Sequence, residues 1–218
     1  MLSRTAASTL VAVALAVGAP PAFVMAAATP AFAQAQRDAE AESFVANEAG
    51  RAITILNQGG SSAQKKAEFR SFVDQVADVP RITRFVLGKY ARTVTPDQYN
   101  QFAQAFRTYA NGVYESRLGQ YHGQKLRVTG STVRVPGDVV VTSQIVGGDV
   151  KTPTEVKWRV IRGSDGRYKA VDVSVEGVWL AITEQQDFVS TLDNHHGDIN
   201  VLISQLRTQA AQEQSGRG

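Results

Sequence analysis

Close to residue 123 the hydrophobic residues of this chain change period, and that change restricts the fold more than any other feature. Before it, apolar side chains return every three or four positions. Tyr99, Phe102, Phe106, Tyr109 and Val113 line one side of a helix, with Tyr114 and Leu118 alongside. After it they alternate with polar residues: Leu126 and Val128, Val139 and Val141, then Val156, Trp158 and Val160, then Val171, Val173 and Val175. The separators are "VPGD", "VGGDVKTP" and "GSDGR", rich in turn-forming residues. Period two on four consecutive segments predicts a four-stranded antiparallel meander. One face is apolar, and the other carries Lys157, Arg159, Asp172 and Glu176.

Helices are expected on either side of the meander. Phe44, Ala52, Ile55 and Leu56 give residues 36–57 a helical spacing, and "NQGGSSA" breaks it. A second helix presents Phe69, Phe72, Val73 and Val76. A third starts at Pro80, a residue tolerated in the first turn, and runs through Ile82, Phe85, Val86 and Tyr90. Thr95, Pro96 and Gln98 form the strongest local signal: a cap, a first-turn proline and the glutamine of a capping box, opening the long aromatic helix. Two more helices follow, near 178–193 and 198–210. The expected fold class is therefore α+β, an antiparallel four-stranded sheet with helices packed on one face.

Residues 1–33 read as an export signal. Arg4 gives a positive start, Thr9 to Val17 is uncharged, and Ala31-Phe32-Ala33 fits a cleavage site before Gln34. Gly18, Pro20 and Pro21 interrupt the apolar run, which is too short to be a permanent span. Residues 34–210 are expected to form one domain and 211–218 a polar, disordered tail. No cysteine is present, which excludes disulfides and thiolate chemistry. The whole chain carries a formal charge of +3, too balanced for a nucleic-acid surface.

Chemistry is hard to find. There is no nucleophile elbow, zinc helix, phosphate loop or dinucleotide turn. His122 sits in a turn, and His195 and His196 are adjacent, so they point apart; no metal or cofactor is expected. Asp172 and Glu176 share a strand parity, but Lys157 and Arg159 on the neighbouring strand account for them as cross-strand charge pairs. Arg81, Arg84, Lys89 and Arg92 form a basic edge around the third helix, suited to a partner or to lipid headgroups. A hydrolase using Asp172, Glu176 or a histidine is the weakest of the functional readings, and an enzyme is not expected.

The segment "FVLGKYARTVTPDQYNQFAQAFRTYANGVYESRLGQYHG", Phe85 to Gly123, resembles the MlaC family of toluene-tolerance auxiliary proteins. The resemblance rests on V-L-G-x-Y, the T-P-x-Q opening, and the aromatic helix closing on L-x-x-Y. "YKAVDVSVEGV" is similar to the family's strand and turn, and the likeness extends from about residue 44 to 207. It implies a periplasmic phospholipid carrier with an apolar cavity between sheet and helices. Such a carrier works between an inner-membrane ABC transporter complex and an outer-membrane lipoprotein complex. The expected lining is Phe85, Phe102, Phe106, Tyr109, Val113, Val141, Val156, Trp158, Val171, Val173 and Trp179. Trp179 stands where the family commonly has a small serine. A flat indole at a cavity mouth would suit a rigid triterpenoid, so a hopanoid carrier of the HpnM branch is the alternative within the family. Outside it, the alternative is a non-transport adaptor that binds a protein partner.

Overall fold

The computed structural model describes residues 36–58, 61–118 and 122–215. The expected signal, residues 1–33, lies outside them. Helix α1, Ala39–Asn57, begins at Asp38, whose Oδ1 accepts from the Ala41 backbone N–H at 2.8 Å. Helix α2, Ser62–Val76, has a capping box between Ser61 and Gln64. Helix α3, Val79–Val86, is capped by Asp78 and carries Pro80 in its first turn. A 3-10 turn, Gly88–Arg92, then leads to α4, Pro96–Leu118. The Thr95–Gln98 box forms as the sequence implies: the Thr95 N–H donates to Gln98 Oε1 at 2.9 Å, and the Gln98 N–H to Thr95 Oγ1 at 3.3 Å.

Strands β1 (Lys125–Val135), β2 (Asp138–Val146), β3 (Thr154–Arg162) and β4 (Tyr168–Val175) pair antiparallel in chain order. The expected α+β class is found, with one correction: the sheet has five strands, not four. The fifth, β5 (Val178–Trp179), pairs with the end of β4 before α5, Leu180–Asn194, begins. Glu176 and Gly177 make the reversal, with φ of 50° and 87°. Positive φ at both central residues is what a two-residue hairpin of matching twist requires. Helix α6, Ile199–Ser215, also runs past the expected boundary at 210.

A second difference lies inside β4. Arg159 is opposite Asp172 and Val160 is opposite Ala170, so Val171 is an extra residue, a β-bulge. Since side chains alternate, one inserted residue exchanges the faces for everything that follows. Tyr168 and Ala170 are buried before the bulge; after it the deeply buried residues are Asp172 and Ser174, while Val173 is half-buried and Val175 exposed. Asp172 does stand opposite Arg159 on the same face, but it is buried rather than solvated. Arg159 instead forms a two-pronged pair with Asp138, at 2.8 and 3.1 Å.

Asp172 has a structural task. Its Oδ1 accepts from the Val173 and Ala181 backbone N–H groups, each at 2.8 Å, and so caps α5 from across the hairpin. Trp179, the residue at the N-cap position, offers no side-chain cap of its own. Helices therefore engage both sides of β4, another departure from the expected single covered face. Tyr168 donates to Asp38 at the start of α1 at 2.6 Å, and Asp172, of opposite parity, holds α5. The outer edge of β4 is further closed by Ala77, which bridges Ala170, and by the Asp78 N–H donating to the Ala170 carbonyl at 2.9 Å. Closing an edge in this way removes a template for unwanted pairing.

Candidate functional site

Two apolar clusters with no residue in common divide the interior. The helical cluster joins α3, α4, α5 and α6 around Leu87, Phe102, Phe106, Phe188, Leu192 and Leu206. Phe102 and Phe106 stack at 5.9 Å, and Phe188 meets both edge-on at 6.0 and 5.9 Å. Offset and edge-to-face contacts of this kind favour a filled, ordered core. The sheet cluster places Val139, Val141, Val160 and Tyr168 beneath Ala41 and Val45 of α1.

The residues expected to line one chamber are consequently distributed. Phe102 and Phe106 belong to the helical cluster, and Tyr109 packs at its edge. Val141 belongs to the sheet cluster, with Trp158 packed against it. Phe85, at the end of α3, is 38% exposed. Val113, on α4, is part-buried. Val171 is the buried bulge residue.

Following the register across the sheet reveals what does come together. One row runs Val128, Ser143, Val156, Val175, Val178. A parallel row runs Ser131, Val141, Trp158, Val173. Both share the face that α1 covers at its β2 end. Burial then fades along the first row: Ser143 and Val156 are buried, Val175 is 37% exposed and Val178 54%. Trp158 and Val173 are half-buried at the same corner. Trp158 is held in place because its Nε1–H donates to Ser143 Oγ at 3.0 Å, and that hydroxyl donates to the Val156 carbonyl at 2.9 Å. The outcome is an apolar strip, Val156, Trp158, Val173 and Val175, that begins in the core and emerges at the β4–β5 corner.

Trp179 stands on the other side. It pairs with Ser174, so by parity it faces away from Trp158 and Val173. The structure thus brings Val156, Trp158 and Val173 together but separates Trp179 from them. Ser174 is 1% exposed, and its Oγ has no hydrogen-bond partner among the described residues.

The basic edge is partly neutralised. Arg81 pairs with Asp78 at 2.9 Å, and Lys89 with Asp193 at 2.7 Å. Asp193 also accepts from the Tyr90 hydroxyl at 2.5 Å; the Lys89 bond, then the Tyr90 bond, hold its carboxyl below the ordinary range. The Arg84 guanidinium lies 5.1 Å over the Tyr99 ring. Both flank a shallow cleft of about 240 Å³ with Ala91, Val94 and Pro96. Arg92 is exposed.

Catalytic geometry does not assemble around the candidate acids. Asp172 is committed to backbone N–H groups; burial pushes its carboxyl up, against the pull of the Ala181 and Val173 bonds. Glu176 sits in the hairpin turn. No group of three potential metal ligands gathers among the described residues. Two features escaped the sequence reading. One is the Asp172 cap, whose partner lies nine residues on with no local signature. The other is Tyr109, which donates to Glu184 of α5 at 3.0 Å. Burial raises the ordinary range of both groups, and the charge of Glu184 adds to the rise at Tyr109.

A meander with helices packed against it, and an apolar strip leaving the core at one corner, makes an α+β architecture. The same architecture occurs in a phospholipid-binding protein from Ralstonia solanacearum solved in complex with a phospholipid. The TM-score is 0.67 at 25% sequence identity, covering 81% of this chain and 98% of that one. The sequence model of the MlaC protein family matches residues 47–208. The chain belongs to the MlaC family.

Proposed function

We propose that this protein is a periplasmic carrier that binds phospholipid by its acyl chains and moves it between membrane-bound complexes. The observation that carries this reading is its likeness, over 98% of the other chain, to a protein holding a phospholipid. The apolar strip supports it, because Val156, Trp158, Val173 and Val175 offer hydrocarbon contact from the core to the surface. Burying hydrocarbon contributes about 0.8 kcal/mol per methylene, so some dozen methylenes suffice for tight binding without any polar anchor. Carriage between an outer-membrane lipoprotein complex and an inner-membrane ABC transporter complex is the part of this reading that family membership suggests.

The lining that we propose is narrower than the sequence suggested. Phe102 and Phe106 already satisfy one another and Phe188, so they are assigned to the core. A triterpenoid ligand rested on Trp179 as a platform, and its parity away from the strip removes that support.

Native mass spectrometry of the protein purified from its own periplasm, followed by solvent extraction, tests the reading. One phospholipid per chain is expected, and Val173→Glu should lose it while remaining folded. A triterpenoid mass would redirect the assignment to the hopanoid branch. A protein that stays empty after incubation with membranes would sink the carrier reading and favour the adaptor.

A further inference from the structure

The apolar strip has an open end and a closed one, and Trp158 stands between them. At the β4–β5 corner Val175 and Val178 are exposed and Val173 is half-buried. On the β2 side Val139 and Val141, with Val160 of β3, are sealed beneath Ala41 and Val45 of α1. Trp158 packs against that sealed cluster while remaining half-buried itself. Its indole does not stay in its own row. The register places Trp158 opposite Val141, yet its Nε1–H donates at 3.0 Å to Ser143, the partner of Val156 in the next row. The ring therefore lies diagonally across both rows, between the sealed residues of β2 and the open ones of β4. Ser143 is 0% exposed, and its Oγ donates in turn to the Val156 carbonyl at 2.9 Å. With its hydroxyl engaged on both sides, Ser143 fixes the direction of the indole, whose N–H needs a partner once it leaves water.

We propose that Trp158 is the end wall of the lipid site and sets the acyl-chain length that the protein accepts, with Ser143 as its positioning residue. The inference rests on the carrier reading. A chain entering over Val175 and Val173 meets apolar side chains as far as the indole. Behind the ring Val139, Val141 and Val160 are wholly buried, so the chain stops there. A tryptophan serving only the core would be sealed as Val141 is; this one is half-buried at the point where the cover ends. Each methylene buried multiplies affinity by a factor of about four. A wall held in place by a hydrogen bond turns that factor into selection between chain lengths, whereas a wall free to swing aside does not.

Quenching of Trp158 fluorescence locates the chain end, in a Trp179→Phe background that leaves one indole in the chain. The protein is loaded with phosphatidylcholine brominated either near the methyl end of its chains or near the carbonyl end, because bromine quenches an indole only at close contact. Methyl-end bromine should quench the more strongly. A competition between two saturated phosphatidylcholines, read by extraction and mass spectrometry, measures selection. Trp158→Leu should shift the bound ratio toward chains two carbons longer by roughly tenfold, the worth of two buried methylenes. Ser143→Ala should move the ratio the same way by less and lower the polarisation of Trp158 emission, which a loss of stability alone would not do. Circular dichroism confirms that each variant folds, and the quenching itself needs no change at Trp158 or Ser143. Bound lipid whose carbonyl end quenches as strongly as its methyl end overturns the proposal. So do folded variants that keep the wild-type chain preference. A protein that takes up no phosphatidylcholine fails the carrier reading, and this inference with it.

Discussion

The helical cluster and the β4–β5 corner are both built from large apolar side chains, yet they serve opposite ends. Around Phe102 every large residue meets another: its ring stacks on Phe106, abuts Phe188, and is 0% exposed. At the corner, Val175 stands between Val156 and Val178 and is 37% exposed, and Val178 is 54% exposed. Hydrophobic residues that find partners inside the chain stabilise it; those that do not remain available to something outside it. The comparison teaches that composition cannot assign function here, because valines at Val139 and Val178 differ only in what lies over them.

Substitutions should expose this contrast, beginning with the core. Phe102→Ala is expected to cost about 3–5 kcal/mol, the range for emptying a packed aromatic site, measured by chemical denaturation. A cost near zero would show the helical cluster to be loosely filled and would return Phe102 to the ligand site. Asp172→Ala should cost about 1–3 kcal/mol, because two backbone N–H groups would lose their buried acceptor. Hydrogen exchange should localise that loss to the start of α5.

Glu184 sharpens the comparison through pH. Burial raises its carboxyl above the ordinary value of 4.5. The stability linked to its protonated form is thus fully present below that value and is lost as pH rises through the folded one. Glu184→Gln should flatten that loss, so the difference in melting temperature between variant and wild type should move in the variant's favour as pH rises from acid toward neutral. An unchanging difference would mean that Tyr109 and solvent already satisfy the carboxylate. At the other extreme, Val178→Ser and Ile182→Ser should change stability by under about 0.5 kcal/mol, as is usual for uncovered sites. A larger cost in thermal melts would make the corner a structural element.

Much of the fold was legible because its signals are local. The change of period separated helices from strands, and the Thr95–Gln98 box marked the start of α4 within one residue. The site was far less legible. Alternation in "YKAVDVSV" assigned Val171, Val173 and Val175 inward; Val173 and Val175 do share the face of Trp158 and Val156, but the unpaired residue at Val171 brings Tyr168 and Ala170 onto that face as well. A bulge leaves no mark in an alternating sequence, since its effect appears only when the partner strand supplies the register. Trp179 illustrates the same blindness. It reads as the last residue of a strand or the first of a helix; it ends β5 and is the N-cap of α5, and its direction depends on its pairing with Ser174.

What the amino-acid sequence determined alone was therefore most of the elements, their order and the family, because helix caps, turn chemistry and hydrophobic period act over a few residues. The tertiary structure decided which apolar residues meet. It placed Phe102 and Val141 in separate cores, turned Trp179 from Trp158, used Asp172 as a cap, and left Val178 uncovered. Those outcomes depend on strand register and on helices distant in the chain, and burial is a property of what packs above a residue rather than of the residue itself.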